Sequence, residues 1–353
     1  MSTDMLHQTD HTNNRRIFFA ENDFMRSDDT DDREYYSRDR FVQHLDSLAL
    51  STVKTVISTL IVEKNPAVLD LMASWDSHIP SNIKSQRIVG LGLNESELRS
   101  NKALTEFVLH DLNADTSLPF SDASFDVVLN VVSVDYMTKP VEIFREVNRI
   151  LKPGGLFLVI FSNRYFPPKV VNIWRNSGEE ERIILVEEFF RIAGGYEKPD
   201  VFISKGRPRP ESDKYAHLGI PSDPIYAVYA DKKCEGKQQR ARPVPTVAVG
   251  ESINPEEVKR RKKEVRTTLR CPYCGERMKK WAVPHTPFST WDAEFMYICF
   301  NDQCPYLVQG WDAMQAQGNI GSSYRCMYNP HKDVCMPVPV PGIHALKEGI
   351  VEN

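Results

Sequence analysis

Apolar positions along the 353-residue chain change period several times, and the clearest change lies between Ser124 and Asn163. Phe125 to Val134 is almost continuously apolar and rich in valine, which predicts a strand covered on both faces of a parallel sheet. From Pro140 the apolar residues Val141, Phe144, Val147, Ile150 and Leu151 recur at three and four, with Glu142 early and Arg149 and Lys152 late, as the helix macrodipole favours. Pro153, Gly154 and Gly155 stop this helix and lead into a second apolar run, Leu156 to Phe161. The unit is strand, helix, strand, the repeat of an α/β fold with a parallel sheet.

The same reading extends to both sides. Leu45 to Ile61 carries a helical apolar stripe, and strands are predicted at Ala67 to Met72, Gln86 to Leu91 and Phe107 to His110. Ser177 with Glu180 forms a capping-box pattern, opening a helix that runs to a Gly194-Gly195 stop. Asp200 to Ser204 and Ile225 to Ala230 are the last candidate strands. Residues 1 to 34 are polar, with Asp28, Asp29, Asp31 and Asp32 close together, the composition of a segment that cannot repay its ordering entropy. After Lys233 the periodicity dissolves into a basic, proline-containing linker, and a helix then starts near Asn254 and Pro255 and carries the run Lys259 to Lys263. The divisions are a disordered 1–34, an α/β domain over 35–233, a basic linker and helix over 234–268, and a small domain with its tail over 269–353.

A net charge of -4 gives no overall bias toward nucleic acid or anionic membranes, so such binding has to be local. With no basic start followed by an apolar core, and no stretch of 18 apolar residues, the expectation is a cytoplasmic protein without a membrane partner. Six of the seven cysteines fall in the last quarter. Cys271 and Cys274, then Cys299 and Cys304, form two paired turns of the kind that presents four thiolates to one tetrahedral ion, and this donor set suits Zn(II). Iron uses the same CPxCG turn. Strand-like runs at Met278 to Val283, Phe295 to Phe300 and Tyr306 to Trp311 make the module similar to a zinc ribbon. Cys326, His331 and Cys335 offer three ligands toward a second site. The aromatics Trp281, Phe288, Trp291, Phe295, Tyr297, Phe300, Tyr306 and Trp311 serve either as core or, beside the basic helix, as a surface for nucleic acid or protein.

Leu118-Pro119-Phe120, Ser124-Phe125-Asp126, Glu146, and Leu151-Lys152-Pro153-Gly154-Gly155, in that order, resemble the class I S-adenosylmethionine-dependent methyltransferases of the type 11 subgroup over roughly Ala67 to Lys233. The resemblance implies a Rossmann-like sheet of seven strands, the last antiparallel, S-adenosylmethionine as cofactor and methyl transfer to an unidentified acceptor. It also implies that Asp70 meets the cofactor's amino end, and that Asp111 and Leu112 meet the adenine. Met72 and Asn130 join the cofactor-binding set. The chain departs from the family where glycines are usual, reading Met72-Ala73-Ser74-Trp75-Asp76-Ser77-His78, so Ser74, Asp76, Ser77 and His78 are expected to replace backbone contacts. Gly92 stands in the place of the ribose-binding acid, and Asn94 is the substitute acceptor. No catalytic base is assigned; Asp135, Tyr136, Asn163, Arg164 and His110 are candidates near the site. The family's covering helices also allow Phe18, Phe19, Tyr35 and Tyr36 to form a lid. A non-catalytic adaptor working through its zinc ribbon, and an RNA-modifying methyltransferase, are the alternative functions.

Overall fold

The computed structural model describes residues 19–20, 22–207, 209–210, 213–234, 241–245, 255–284, 293–319 and 321–351. Seven strands form the main sheet: β1 (Ala67–Leu71), β2 (Arg87–Gly92), β3 (Glu106–Leu109), β4 (Phe125–Val131), β5 (Leu151–Phe161), β6 (Asp200–Ser204) and β7 (Ile225–Asp231). Their order is β3-β2-β1-β4-β5-β7-β6, with β1 to β5 parallel and β7 antiparallel to both neighbours. This is a Rossmann-like sheet whose order reverses between β1 and β4, the position where ligands bind in open α/β sheets.

Helices α1 (Asp32–Tyr35), α2 (Ser47–Leu60), α3 (Glu95–Ser100), α4 (Pro140–Ile150), α5 (Asn172–Asn176) and α6 (Glu179–Ala193) belong to this domain. The α2 stripe packs Val53, Val56, Ile57 and Leu60 on one sheet face, against Val68, Val127, Leu129 and Leu158. On the other face Phe144 of α4 and Phe190 of α6 pack on Phe157, and Phe189 of α6 packs on Phe144. The α6 cap lies one residue beyond the predicted Ser177: the Gly178 amide donates to Glu181, while Ser177 bonds back to Ile173.

The disorder expected for residues 1–34 is corrected for 22–34. Residues 1–18, including Phe18, lie outside the described residues. Beyond them Asp32 is buried, pairing with Arg26 and with the fully buried Lys169, which also donates to the Thr30 carbonyl. Each charge in this cluster has a partner, so the polar composition that argued for disorder instead fastens the segment to the loop after β5.

The smaller module holds α7 (Pro255–Thr268), β8 (Lys279–Ala282), β9 (Phe295–Ile298), α8 (Pro305–Ala316), β10 (Ser323–Asn329) and β11 (Val334–Val340), with its antiparallel sheet ordered β11-β10-β9-β8. The strand predicted over Tyr306 to Trp311 is helical instead. A short apolar run does not distinguish strand from buried helix, and here Pro305 starts α8 while Leu307 and Trp311, one turn apart, enter the same core. Trp311 also meets Gly206 of the main domain, where an added Cβ would lie 2.7 Å from the indole, and Asp312 pairs with the buried Arg207 at 2.8 Å. Among the described residues no helix is long and apolar enough to cross a membrane.

Candidate functional site

The C-terminal ends of β1 to β4 open into one cavity, roofed by residues from 32 to 45 and by Phe166. Asp70, on β1, is buried in its wall. Burial pushes its carboxyl up to about 7, against the opposing effects of Ser77 and His78.

The loop after β1 takes its shape from side-chain bonds. Met72 adopts a left-handed conformation (φ 61°), and the Ala73 amide donates to the Leu91 carbonyl at 2.8 Å, which lays the loop across the end of β2. A Cβ on Gly92 would stand 2.3 Å from the Ala73 carbonyl oxygen, so the loop itself excludes an acid at that position. Asp76 accepts from the His78 amide at 2.8 Å and from Gln43 at 3.1 Å, and it lies 3.1 Å from His78 Nδ1. Hydrogen bonding from His78 holds its carboxyl well below the usual range. Ser74, Asp76 and His78 line the cavity, as their positions suggested. Ser77 does not: it is buried behind the loop, accepting from Asn101.

One expected contact, Asn130, is corrected, and a second, Asn94, is shared with a helix cap. Asn94 lines the cavity, but its oxygen caps α3 by accepting from the Glu97 amide, while its nitrogen donates to Tyr36 O and Asp39. Its oxygen therefore shares its acceptor capacity with the helix cap. Glu97, in the first turn of α3 after β2, also lines the cavity, and its carboxylate accepts from Ser74 Oγ and from the Arg40 amide. Asn130 is fully buried outside the lining, donating to Leu71 O and Ser133 Oγ, and thereby ties β4 to the end of β1.

Beyond β3 the chain returns to the cavity. Asp111 and Leu112 both line the cavity, with Asp111 Oδ1 accepting from the amides of Asn113 and Ala114. Of the candidate bases, His110 and Tyr136 reach the cavity, but His110 Nε2 donates to Asp115 O and the Tyr136 hydroxyl accepts from the Phe166 amide. Asp135 lies outside the lining, its buried carboxyl also pushed up to about 7 by desolvation. Arg164 pairs with Asp223, and Asn163 donates to Glu179. Sequence reasoning missed Arg40, His44, Glu97 and Phe166; Tyr36 was named only as part of a lid. Arg40 and His44 precede the first strand by more than twenty residues, and Glu97 and Phe166 each follow a strand by five; local pattern does not show that they converge on one cavity.

In the smaller module the sulfurs of Cys271, Cys274, Cys299 and Cys304 lie within 4.8 Å of one another, and among the described residues this is the group that can hold a metal ion. The second site is not assembled. Cys326 is buried beside Cys271 and Cys335, while His331 sits exposed in the β10–β11 turn. Trp281 and Trp311 are buried, and Phe288 and Trp291 lie outside the described residues. On α7, Arg260 pairs with Glu257 and Glu264, and Arg261 pairs with Glu257. That part of the basic run is neutralised along its own helix.

Residues 78–159 match a family model described as "Methyltransferase domain". The chain is 32% identical over 80 residues to a probable S-adenosylmethionine-dependent methyltransferase of Mycolicibacterium smegmatis, covering 23% of this chain and 31% of that protein. It is 43% identical over 67 residues to a fatty-acid O-methyltransferase of the same organism (19% and 23% covered), and 29% identical over 114 residues to a demethylmenaquinone methyltransferase of Staphylococcus epidermidis (30% and 47% covered). The chain thus spans less than half the length of each of these relatives. Among solved structures, a SAM-dependent methyltransferase from Aquifex aeolicus is similar at 14% identity and a TM-score of 0.36, covering 52% of this chain and 91% of that one. One from Mesorhizobium loti is similar at 15% identity and 0.34, covering 52% and 100%. The matched residues run from the loop after β1 into β5 of the seven-stranded, Rossmann-like sheet.

Proposed function

We propose that this chain transfers a methyl group from S-adenosylmethionine to an acceptor bound in the same cavity. The observation that carries the reading is the placement of Asp70 and Asp111 on one cavity at the reversal point of the sheet. The donor set fits the cofactor. Asp70 would hold the ammonium of its amino-acid tail, and Asp111 and Leu112 would hold the adenine, by its amino group and its ring face. Glu97 takes over the ribose hydroxyls, since each of its oxygens accepts one bond and retains a lone pair for another. When bound, the cofactor supplies an activated methyl on a sulfonium. The protein's part is to position the acceptor for in-line attack and to keep water out, and Tyr136 and Phe166 form an apolar wall suited to this. Because displacement from a sulfonium draws so much from placement, no base is assigned.

The four-cysteine site is read as a structural Zn(II) site, four thiolates being the donor set that closes a tetrahedral shell. Its ion stabilises the module that docks through Trp311 and Asp312.

Calorimetric titration with S-adenosylhomocysteine tests the reading. Binding that is lost in Asp70→Ala and Asp111→Ala is expected; a folded wild-type protein that does not bind would leave the domain an adaptor. Metal analysis of the purified protein should give one zinc per chain, abolished in Cys271→Ser.

A further inference from the structure

The roof of the cavity holds an unusual charge. Arg40 lines the cavity, and among the described residues no carboxylate pairs with its guanidinium. Its Nη2 donates to the Tyr35 carbonyl at 3.0 Å, and its Nη1 is buried without a partner. The guanidinium carbon lies 4.9, 5.3 and 5.8 Å from the ring centres of Tyr35, Tyr36 and Phe166, so aromatic faces hold the cation in place without neutralising it. The Tyr36 hydroxyl, in the same roof, is also buried without a partner. Of the acids around this roof, Asp32 is committed to Arg26 and Lys169, and Glu97 to Ser74 and the Arg40 backbone amide, while the buried Asp135 acts on the Tyr36 hydroxyl through its charge. Arg40 Nη1 and the Tyr36 hydroxyl are two unspent donors, one of them on a cation without a carboxylate partner, at a cavity whose lining takes seven residues from between 32 and 45; an anion suits them, because a buried donor left unpaired costs free energy that a ligand oxygen recovers.

We propose that Arg40 and Tyr36 form a carboxylate-binding subsite in the roof of the cavity, with Arg40 supplying the charge and Tyr36 a hydroxyl donor. The inference rests on the methyl-transfer reading for what else occupies the cavity. The carboxylate has two possible sources, an acceptor that is itself an organic acid or the amino-acid tail of the cofactor. The wall beside Arg40 is ring-rich: Phe166 stacks on Tyr136 at 6.0 Å and meets His44 edge-on at 5.1 Å. An acid with a flat apolar body suits this surface.

The test uses the full chain and its Arg40→Gln, Arg40→Lys and Tyr36→Phe variants, with melting temperature as the folding control. S-adenosylhomocysteine and 5′-methylthioadenosine, which lacks the amino-acid tail, are titrated first. Benzoate is then titrated into protein with and without S-adenosylhomocysteine. If the carboxylate is the cofactor's, Arg40→Gln weakens S-adenosylhomocysteine at least tenfold and leaves methylthioadenosine unchanged. If it is the acceptor's, both nucleosides bind Arg40→Gln normally, and benzoate binding is lost in Arg40→Gln and retained in Arg40→Lys. Either pattern supports the subsite, with Tyr36→Phe giving a smaller loss of the same kind. Should Arg40→Gln bind every probe as the wild type does, or should benzoate fail to bind while S-adenosylhomocysteine is insensitive to Arg40, the subsite is refuted. Absence of nucleoside binding by the wild type refutes the methyl-transfer reading separately, and the benzoate titration of unliganded protein then decides the role of Arg40.

Discussion

Asp70 gives the prediction with the most quantitative content. Its carboxyl is buried and pushed up to about 7, so in unliganded protein it is largely protonated below neutrality. A ligand ammonium binds the ionised form, which lowers the carboxyl's pKa in the complex and couples binding to loss of one proton. Affinity for S-adenosylhomocysteine therefore falls as pH drops through 7, by up to tenfold per unit. At pH 5.5 the loss reaches roughly 30-fold, about 2 kcal/mol at 1.36 kcal/mol per unit. Calorimetry between pH 5.5 and 8.5, in two buffers of different ionisation enthalpy, reads both the affinity and the proton released. Asp70→Asn should bind more weakly at pH 8 and lose most of the slope. Asp135 titrates in the same range and His44 is held low by burial, so Asp135→Asn and His44→Gln are measured alongside to assign the proton. The same burial predicts a stability effect of defined sign. A carboxyl with a raised folded pKa destabilises the unliganded fold as pH rises through that value, so Asp70→Asn is stabilising at pH 8 and near neutral at pH 4. A flat affinity from pH 5.5 to 8.5, with Asp70→Asn indistinguishable from wild type, would refute the assignment.

Restoring an acid at the end of β2 should harm the protein: Gly92→Asp drives a Cβ into the Ala73 carbonyl and is expected to cost about 1–3 kcal/mol in urea unfolding and to weaken S-adenosylhomocysteine binding. Glu97→Gln should weaken S-adenosylhomocysteine more than adenine, because the amide replaces one acceptor oxygen while adenine has no ribose to lose. Arg242 bonds Asp231, Glu63 and the Leu60 carbonyl, tying the linker to the back of the main domain, so Arg242→Met leaves two carboxylates uncompensated and should cost about 3–5 kcal/mol by equilibrium unfolding. Chelation that removes zinc should melt the smaller module first, seen as a low-temperature calorimetric transition that metal restores.

The sequence by itself determined what depends on neighbours along the chain. Continuous apolar runs marked the parallel strands, the three-and-four spacing marked α2, α4 and α6, and each paired-cysteine turn marked its own pair, since a turn brings residues three to five apart together without help from the rest of the fold. Asp70 and Asp111 came from the family resemblance, which assigns each a role at a strand end, and a parallel sheet gathers those ends on one edge. Tertiary structure alone decided the remainder. Asn94 looks like a free acceptor until α3 is seen to start there and use its oxygen as a cap. Glu97 becomes the nearby carboxylate only because the helix turns it back toward Ser74. The absence of an acid at Gly92 reads as a lost function in sequence, yet in space it is the clearance required by the loop from β1. Likewise the polar residues 22–34 looked unable to order, because their partner Lys169 lies more than 130 residues away and no local pattern shows that a buried lysine awaits them. Periodicity reports which side of an element faces the core, whereas which distant charge or carbonyl meets it is set by packing.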